Sequence, residues 1–330
     1  MQMIDYLAAD QFSALGGTPV LVVDAANWNK PASPLQAVMV GIDREGNLPI
    51  VDKRAFDVLL TTFDEAPKPW VSIDPAQFDD TIQLLTEMVH ANPVAATIGA
   101  QGLRLSSGLK LPEALQVESF AYSTLLGGAE FRRWQDATKR GTSTPVPADP
   151  IVVLRDGNKI TLQLNDPDNR NAMSAAMRDA LYEALANILD DPSKPDLILE
   201  GGGKCFSTGG SLPEFGTAHD LAAAHVARSL HSCATALDAL GERATVRLHG
   251  ACIGSGIEVA AAAHRRVATP DAWFQLPELS MGLIPGAGGT ATVARAIGRH
   301  RTMWMLLTAK RIGAAQALDW GLVHAVREPM

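Results

Sequence analysis

The 330-residue chain has few of the residues that mark disulfide-bonded, metal-binding or membrane proteins. Its three cysteines, Cys205, Cys233 and Cys252, are too few for a disulfide framework, and they lack the paired spacing of a zinc site. We therefore expect small apolar core residues at these positions and no metal site. No uninterrupted apolar run approaches the length that spans a bilayer, and the N-terminal MQMIDYLAADQF has no basic segment ahead of an apolar core. The sequence predicts a soluble, cytoplasmic protein without a membrane partner.

Basic residues are scarce relative to acidic ones. The chain has 28 Lys and Arg against 36 Asp and Glu, which gives a formal net charge of −8. A general nucleic-acid surface needs basic patches, so we expect no nucleic-acid partner. An anionic ligand is still possible, because a few local cations and helix N-termini suffice to bind one. The hydrophobic content of 47% is typical of a globular protein, and the length suits one large domain or two ordinary ones.

Residues 1–140 have the pattern of an α/β region. Short apolar runs bounded by turn residues predict buried strands at 19–24, 37–41, 56–60 and 70–73. Apolar residues at helical spacing then predict helices over 74–92, 93–108 and 112–126, followed by a short helix through Phe131 and Trp134. Residues 141–150, which are polar and rich in proline, are predicted to form a linker.

Residues 151–330 repeat a unit of strand, glycine-rich loop and helix. The pattern predicts a hairpin over 151–164, a polar loop at 165–171, a helix capped by Ser174, a strand at 197–200, a glycine-rich loop at 201–211, one long amphipathic helix over 219–240 and a strand at 245–249. Two helices at 290–297 and 300–307 and a last strand at 321–326 follow. This repetition is typical of α/β architecture.

Residues 250–289, between the predicted strand at 245–249 and the predicted helix at 290–297, contain the strongest candidate for a catalytic site. A glycine-rich turn, Gly254-Ser255-Gly256, leads into an apolar helix that carries Glu258, and Glu278 follows a predicted strand. Apolar burial raises the pKa of a carboxyl group towards the range useful for proton transfer, and backbone N–H groups of a glycine turn can stabilise an oxyanion. The alternative is a packing turn, with Glu258 at a helix start and Glu278 on the surface. The neighbouring His264-Arg265-Arg266 is predicted to be a cationic helix end.

Four motifs in residues 151–326 resemble, in order and spacing, those of the crotonase superfamily of enoyl-CoA hydratases and isomerases. They are DPDNRNAM (166–173), KCFSTGGSL (204–212), GACIGSGIE (250–258) and FQLPE followed by GLIPGAGG (274–278 and 282–289). The resemblance implies an α/β fold in which ββα units form a spiral. It also implies a site for acyl-CoA thioesters, with coenzyme A entering as part of the substrate and no separate cofactor. Such proteins act in fatty acid metabolism as homo-oligomers, so the resemblance further implies a trimer or hexamer.

The resemblance also assigns roles to particular residues. It implies an oxyanion hole at the backbone N–H groups of Gly210 and Ser255 and catalytic roles for Glu258 and Glu278. The same motifs imply contacts with the substrate or with CoA at Arg170, Ala172, Thr208 and Gly254. Ser255 stands where the family usually has glycine, and Ser211 where it commonly has aspartate.

Because both glutamates are present, we expect hydration of a 2-enoyl-CoA to a 3-hydroxyacyl-CoA. The alternatives are a double-bond isomerase or a CoA-thioester hydrolase on the same scaffold, with Glu278 as the only base of the hydrolase. A homologue that binds acyl-CoA without turnover is the third possibility.

The two ends of the chain depart from the family pattern. Family members normally continue beyond the last strand with helices that cover the site, whereas this sequence has a similar closing pattern in residues 76–138. We therefore expect three parts: a degenerate crotonase-like α/β region at 1–140, the linker at 141–150 and the catalytic core at 151–330. On this hypothesis the first part has lost its glycine loops and both glutamates. Its helices replace the missing lid, either within the chain or across a subunit boundary.

Overall fold

A computed structural model describes residues 9–28, 35–139, 141, 145 and 147–328, so part of the predicted linker, residues 142–144 and 146, lies outside the described residues. The first part of the chain forms a four-stranded parallel sheet, in the order β1 to β4. Its strands are β1 (Val20–Asp24), β2 (Val38–Asp43), β3 (Val58–Thr61) and β4 (Val71–Ser72). They match the four apolar runs of the sequence, because a strand whose two faces are both covered needs apolar residues at successive positions.

Four helices follow this sheet: α1 (Phe78–Ala91), α2 (Pro93–Ser106), α3 (Leu111–Leu126) and α4 (Ala129–Ala137). They confirm the helices predicted from spacing. Asn92 ends α1 and Pro93 begins α2, since proline fits the first turn of a helix but not its interior. Phe78, Leu85 and Val89 of α1 are buried in the main hydrophobic core.

The rest of the chain alternates strands and helices. Its strands are β5 (Ile151–Asp156), β6 (Lys159–Leu164), β7 (Asp196–Gly201), β8 (Ala244–Leu248), β9 (Ala251–Ile253), β10 (Arg265–Ala268), β11 (Trp273–Gln275), β12 (Ile312–Gly313) and β13 (Ala325–Val326). Its helices are α5 (Ala175–Asp190), α6 (Leu221–Leu230), α7 (Cys233–Ala239), α8 (Ser255–Ala260), α9 (Thr292–Ile297), α10 (Arg299–Thr308) and α11 (Ala314–Asp319). The hairpin of β5 and β6 and the Ser174 cap of α5 are as predicted.

Consecutive strands of this part belong to two different sheets. One sheet has six strands in the order β13-β10-β8-β7-β6-β5, and the other has three in the order β12-β11-β9. The chain passes from β8 to β9, and from β10 to β11, by a sharp turn from the first sheet to the second. Gly250 forms the first of these turns with a positive φ of 54°, and a Cβ there would lie 2.4 Å from the carbonyl oxygen of Lys204. A helix follows β9, which completes a ββα unit.

Two predictions about this part are wrong. The long helix predicted over 219–240 is broken into α6 and α7 at residues 231–232. Ser232 accepts a hydrogen bond from the N–H of Thr235, so its hydroxyl caps a new helix instead of continuing the old one. The last strand is also shorter than predicted, at two residues.

The predicted cationic helix end at 264–266 is also wrong. Arg265 and Arg266 begin β10, and the side chain of Arg266 is buried. Its guanidinium donates to the carbonyl oxygens of Leu322, at 2.7 Å, and of Ala263, at 2.6 Å. Burial lowers the pKa of Arg266 to about 10. The residue therefore holds turns of the fold together and is not a solvated cation.

The two parts of the chain share one hydrophobic core, which extends from Val20 to Val323. Helix α10 lies against the N-terminal sheet, where arginines at its start donate to carbonyl groups of the first part. Arg299 donates to the oxygen of Phe56 at 2.7 Å, and Arg301 to that of Trp70 at 3.0 Å. Whether residues 1–140 are a degenerate copy of the second part stays a prediction.

No helix among the described residues is both long and apolar enough to cross a membrane.

The buried carboxylate of Asp57 strengthens the contact between the N-terminal sheet and helix α10. Its replacement measures how much this contact contributes to the free energy of unfolding. Asp57 is 1% exposed, accepts from Nε of Arg104 at 2.7 Å and lies 3.6 Å from Nη1 of Arg299. Asp57→Asn would leave both guanidinium groups without their counter-charge. We expect the free energy of unfolding to fall by about 3 kcal/mol in urea titrations. The exposed Asp80→Asn serves as control, with an expected change below about 0.5 kcal/mol. Equal unfolding midpoints for the two variants would contradict this account.

Candidate active site

The polar loop at 165–171 is fixed to the glycine-rich loop by one buried side chain. Asn171 is fully buried, and its Nδ2 donates to the carbonyl oxygens of Gly202, Cys205 and Phe206 at 2.8–3.0 Å. Its Oδ1 accepts from the N–H of Asp166 at 2.9 Å. Sequence reasoning gave Asn171 no role. The signal in the sequence was an amide side chain at the end of a polar loop, because such a side chain can satisfy several backbone groups at once.

Three of the residues predicted to contact the substrate lie at this junction. Arg170 is exposed and adopts a left-handed conformation with φ of 54°, which is uncommon for a residue other than glycine. The N–H of Thr208 donates to the carbonyl oxygen of Arg170 at 3.1 Å. Ala172 precedes Met173, whose N–H donates to the carbonyl oxygen of Gly209. The structure therefore brings Arg170, Ala172 and Thr208 together beside the glycine loop.

The two turns predicted to form an oxyanion hole are in direct contact. The N–H of Ile253 donates to the carbonyl oxygen of Ser207 at 3.0 Å, and a Cβ on Gly209 would lie 2.8 Å from the carbonyl oxygen of Ile253. Within the described residues, the N–H groups of Gly210 and Ser255 donate no hydrogen bond to the protein. Two free amide donors are thus carried by adjoining backbone turns.

Both predicted glutamates are buried beside the second turn. Glu258, in α8, is 2% exposed, and Glu278, in the turn after β11, is 6% exposed. A Cβ on Gly254 would lie 2.7 Å from Oε1 of Glu278 and 3.7 Å from Oε1 of Glu258. Gly254 has φ of 50° and ψ of −126°, a conformation that only glycine adopts readily. Both carboxyl groups therefore face the same glycine, and the alternative of a surface Glu278 does not hold.

The two carboxyl groups have different surroundings. Oε2 of Glu258 accepts from the N–H groups of Ala287, at 2.7 Å, and Gly289, at 3.1 Å. Burial raises the pKa of Glu258 to about 7, although these amides oppose the shift. Burial, reinforced by the charge of Glu258, raises the pKa of Glu278 well above its ordinary value. Oε2 of Glu278 is buried without a hydrogen-bond partner among the described residues, as is Oγ of Ser255.

A third buried carboxyl group, which sequence reasoning missed, comes from the first part of the chain. Glu118 of α3 is 2% exposed, and its Oε1 accepts from the N–H of Gly288 at 2.6 Å. Its Oε2 accepts from the N–H and the hydroxyl of Thr290 at 2.7 and 2.6 Å. Burial, reinforced by the charge of Glu258, raises the pKa of Glu118 to about 8. The signal in the sequence was an acid four residues after the buried Ala114, on the apolar stripe of a helix.

The backbone N–H groups of residues 287–290 therefore alternate between two carboxylates. Those of residues 287 and 289 point to Glu258, and those of residues 288 and 290 point to Glu118. Helix α3 thus fixes the same loop that holds Glu258. Among the described residues, no group of three or more His, Cys, Asp and Glu could hold a metal ion.

Helix α4 also reaches the site from the first part of the chain. A Cβ on Gly210 would lie 2.6 Å from the ring of Phe215, so this ring lies beside the first turn. Nε2 of Gln135 donates to the carbonyl oxygen of Phe215 at 3.4 Å, and the ring of Trp134 contacts that of Phe215 edge-on. Helix α4 therefore positions Phe215 beside the first turn, while α3 holds the loop at 288–290.

Comparison with known proteins identifies relatives of the second part. Residues 156–328 match the sequence profile of the family described as enoyl-CoA hydratase/isomerase. The chain is 35% identical over 182 residues to the fatty acid oxidation complex subunit alpha of Shewanella sp. strain W3-18-1, which covers 53% of this chain and 26% of that protein. It is 32% identical over 180 residues to the Bacillus subtilis protein YngF, named as an enoyl-CoA hydratase/isomerase, with coverage of 54% and 69%. This chain therefore spans about a quarter of the length of the oxidation-complex relatives.

Solved structures show the same relationship. Enoyl-CoA hydratase from Thermoplasma volcanium superposes with a TM-score of 0.51 at 26% identity, covering 55% of this chain and 73% of that one. The enoyl-CoA hydratase of Mycobacterium smegmatis gives a TM-score of 0.50 at 31% identity, covering 56% and 71%. These findings confirm the predicted resemblance and the predicted crotonase-like α/β fold.

The alternating amides predict that the ionisation of Glu258 influences that of Glu118. Glu258→Gln removes the negative charge that reinforces the raised pKa of Glu118, so we expect this pKa to fall below about 8. The measurement is a pH titration of the glutamate carboxyl carbons by ¹³C NMR. Glu113→Gln, an exposed change on the same helix as Glu118, is the control and should leave the titration of Glu118 unchanged. An identical titration of Glu118 in the two variants would show that the two carboxyl groups are independent.

Proposed function

The chain belongs to the enoyl-CoA hydratase/isomerase family, and we propose that it adds water to a 2-enoyl-CoA thioester to give a 3-hydroxyacyl-CoA. The observation that carries this proposal is the pair of buried carboxyl groups that face Gly254. Hydration needs one group to take a proton from water and another to give a proton to carbon. Two carboxyl groups with different surroundings can divide these tasks at one pH.

The surroundings suggest which glutamate does which. Glu258 is held by two amides and has a pKa of about 7, so its ionised form is available near neutral pH to take a proton from water. Glu278 has an unpartnered oxygen and a pKa well above its ordinary value, so it retains a proton to give. The hydroxide of the water bonds to the β-carbon, and the α-carbon takes the proton of Glu278. Transfer of a proton from Glu258 to Glu278 then restores the starting state.

The two free amides suit the charge that develops during this addition. Attack on the β-carbon moves electron density to the thioester oxygen, and the N–H groups of Gly210 and Ser255 have no other acceptor among the described residues. Each such donor contributes about 3 kcal/mol to stabilising an oxyanion. Only the backbone of Ser255 is required, so serine in place of the usual glycine is compatible with this role.

The loop junction suits the CoA part of the substrate. Arg170 is exposed, and its left-handed backbone is held by the buried Asn171 that follows it. A guanidinium presented in this way can bind a phosphate group. We assign Arg170 to the CoA moiety, with Ala172, Thr208 and Gly254 lining the path to the thioester.

Replacing Glu258 distinguishes hydration from its alternatives. For Glu258→Gln we expect the turnover of crotonyl-CoA to fall by roughly 10²–10⁴-fold, because general acid–base catalysis contributes about that factor. The loss of enoyl absorbance measures the rate, and mass spectrometry measures the hydrated product. The exposed Glu183→Gln should retain wild-type turnover. Near wild-type hydration by Glu258→Gln would overturn the role of Glu258 as base, and release of free CoA in place of the hydrated product would favour the hydrolase. Wild-type protein that binds the thioester but never converts it would favour an isomerase or a binding homologue.

The raised pKa values predict a bell-shaped pH profile. As the pH falls through about 7, Glu258 gains a proton and can no longer act as a base, so kcat/KM should decline on the acid side. As the pH rises far enough to ionise Glu278, the proton for the α-carbon is lost and kcat/KM should decline again. The two apparent pKa values belong to the coupled pair. A flat profile between pH 5 and about 8 would rule out this assignment of acid and base.

A further inference from the structure

A cavity of about 170 Å³ opens beside the candidate site. Helix α3 forms one wall and helices α6, α7 and α8 form the others. Two of its lining segments belong to the site: Met173, whose carbonyl oxygen accepts from the N–H of Ser211, and the loop at 286–288. The cavity therefore borders both the loop that holds Glu258 and the segment bonded to Ser211, next to Gly210.

The size of the cavity limits what it can hold. A cavity of about 150 Å³ in another protein accommodates benzene, so this one has room for about six heavy atoms. Its wall near the site is mainly apolar, with Leu115, Met173, Cys233 and Val259. A short chain of carbon atoms fits there, whereas a long fatty acyl chain does not.

A fixed guanidinium group, that of Arg228, also lines the cavity. Nη1 of Arg228 donates to the hydroxyl groups of Ser119, at 2.7 Å, and Ser123, at 3.1 Å. The guanidinium lies over the ring of Tyr122, 4.7 Å from its centre. These contacts hold the side chain in place through neutral groups alone. Nε and Nη2 of Arg228 donate no hydrogen bond within the described part of the chain.

This guanidinium feels the charge of Glu118 but is not paired with it. Among the described residues, no carboxylate forms a salt bridge with Arg228. The second arginine of the cavity, Arg178, is paired with Asp179 at 2.7 Å in an exposed contact. Glu118 is the one acid in the described lining, and all its hydrogen bonds go to residues 288 and 290. Because its pKa is about 8, the lining carries a net positive charge at neutral pH.

A half-buried cation with unused donors is a recognition element for an anion. Burial of a charged group is unfavourable unless a partner compensates it, and burial lowers the pKa of Arg228. A carboxylate matches the two parallel N–H directions of a guanidinium and binds it more strongly than a neutral group does. We propose that Arg228 selects a short 2-enoyl-CoA whose far end is a carboxylate, which it binds through Nε and Nη2.

This inference rests on the proposed hydratase function and adds the class of substrate. A five-carbon enoyl chain that ends in a carboxylate has about six heavy atoms beyond the thioester carbon. The two carbons of the double bond stay beside the two glutamates, and the other four atoms enter the cavity, which has room for about six. The carboxylate would then lie in the cavity lined by Arg228.

The test compares three CoA thioesters: the five-carbon 2-enoyl thioester with a terminal carboxylate, its neutral terminal carboxamide, and crotonyl-CoA. For the wild-type protein we expect kcat/KM to be at least about tenfold higher for the carboxylate than for the carboxamide, since a charge-assisted hydrogen bond is stronger than a neutral one. Arg228→Gln should abolish this preference and leave kcat/KM for crotonyl-CoA within about threefold. Arg228→Lys, which keeps the positive charge without the planar guanidinium, should retain part of the preference for the carboxylate.

Control measurements separate the possible failures. Arg178→Gln, on the other side of the cavity, should keep the preference for the carboxylate. Equal kcat/KM for carboxylate and carboxamide in the wild-type protein would overturn the inference and leave the hydratase proposal intact. Equal losses on all three thioesters in Arg228→Gln, with a lower unfolding midpoint, would show instead that Arg228 only joins α6 to α3. If no thioester is hydrated, the hydratase proposal fails, and calorimetric binding of the saturated carboxylate and carboxamide thioesters still decides whether Arg228 selects the anion.

Discussion

Four successive backbone amides, those of residues 287–290, are divided between Glu258 and Glu118. A buried amide without an acceptor costs about 1–3 kcal/mol, so this loop keeps its conformation only while both carboxyl groups are in place. One comes from α8, beside the oxyanion turn, and the other from α3, 170 residues before Gly288 of the loop. The shape of the site therefore depends on the docking of the first part of the chain on the second.

The same arrangement concentrates three carboxyl groups in a buried space. Glu118, Glu258 and Glu278 lack a salt-bridge partner among the described residues, and burial raises the pKa of each. Such a cluster is unfavourable for folding and useful for proton transfer, because it keeps carboxyl groups near their ionisation point at neutral pH. The guanidinium of Arg228 lines the adjoining cavity but forms no salt bridge with any of the three carboxyl groups.

Local patterns predicted most of the fold. The stripe of Met177, Leu181, Leu185 and Ile188 is buried in α5 as its spacing indicates, and Ser174 caps that helix. Errors arose where one residue type has two local uses. The hydroxyl of Ser232 can lie on a helix surface or cap a new helix, and only packing decides between them. Arg266 follows an apolar run like a helix-end cation, yet its partners are carbonyl groups of residues 321 and 322, which spacing does not reveal.

By itself, the sequence determined the repeat of strand, glycine-rich loop and helix, the glycine turns and the two glutamates beside them. These are short-range properties: Gly254 needs a left-handed conformation, and Glu258 follows it by one helical turn. Only the tertiary structure decided that Glu118 joins the site and that Arg228 lines the cavity. The physical reason is that their partners are more than 100 residues away, from Ser119 to Arg228 and from Glu118 to Thr290. Local periodicity places a side chain on one face of a helix, but the packing of the whole chain determines what that face meets.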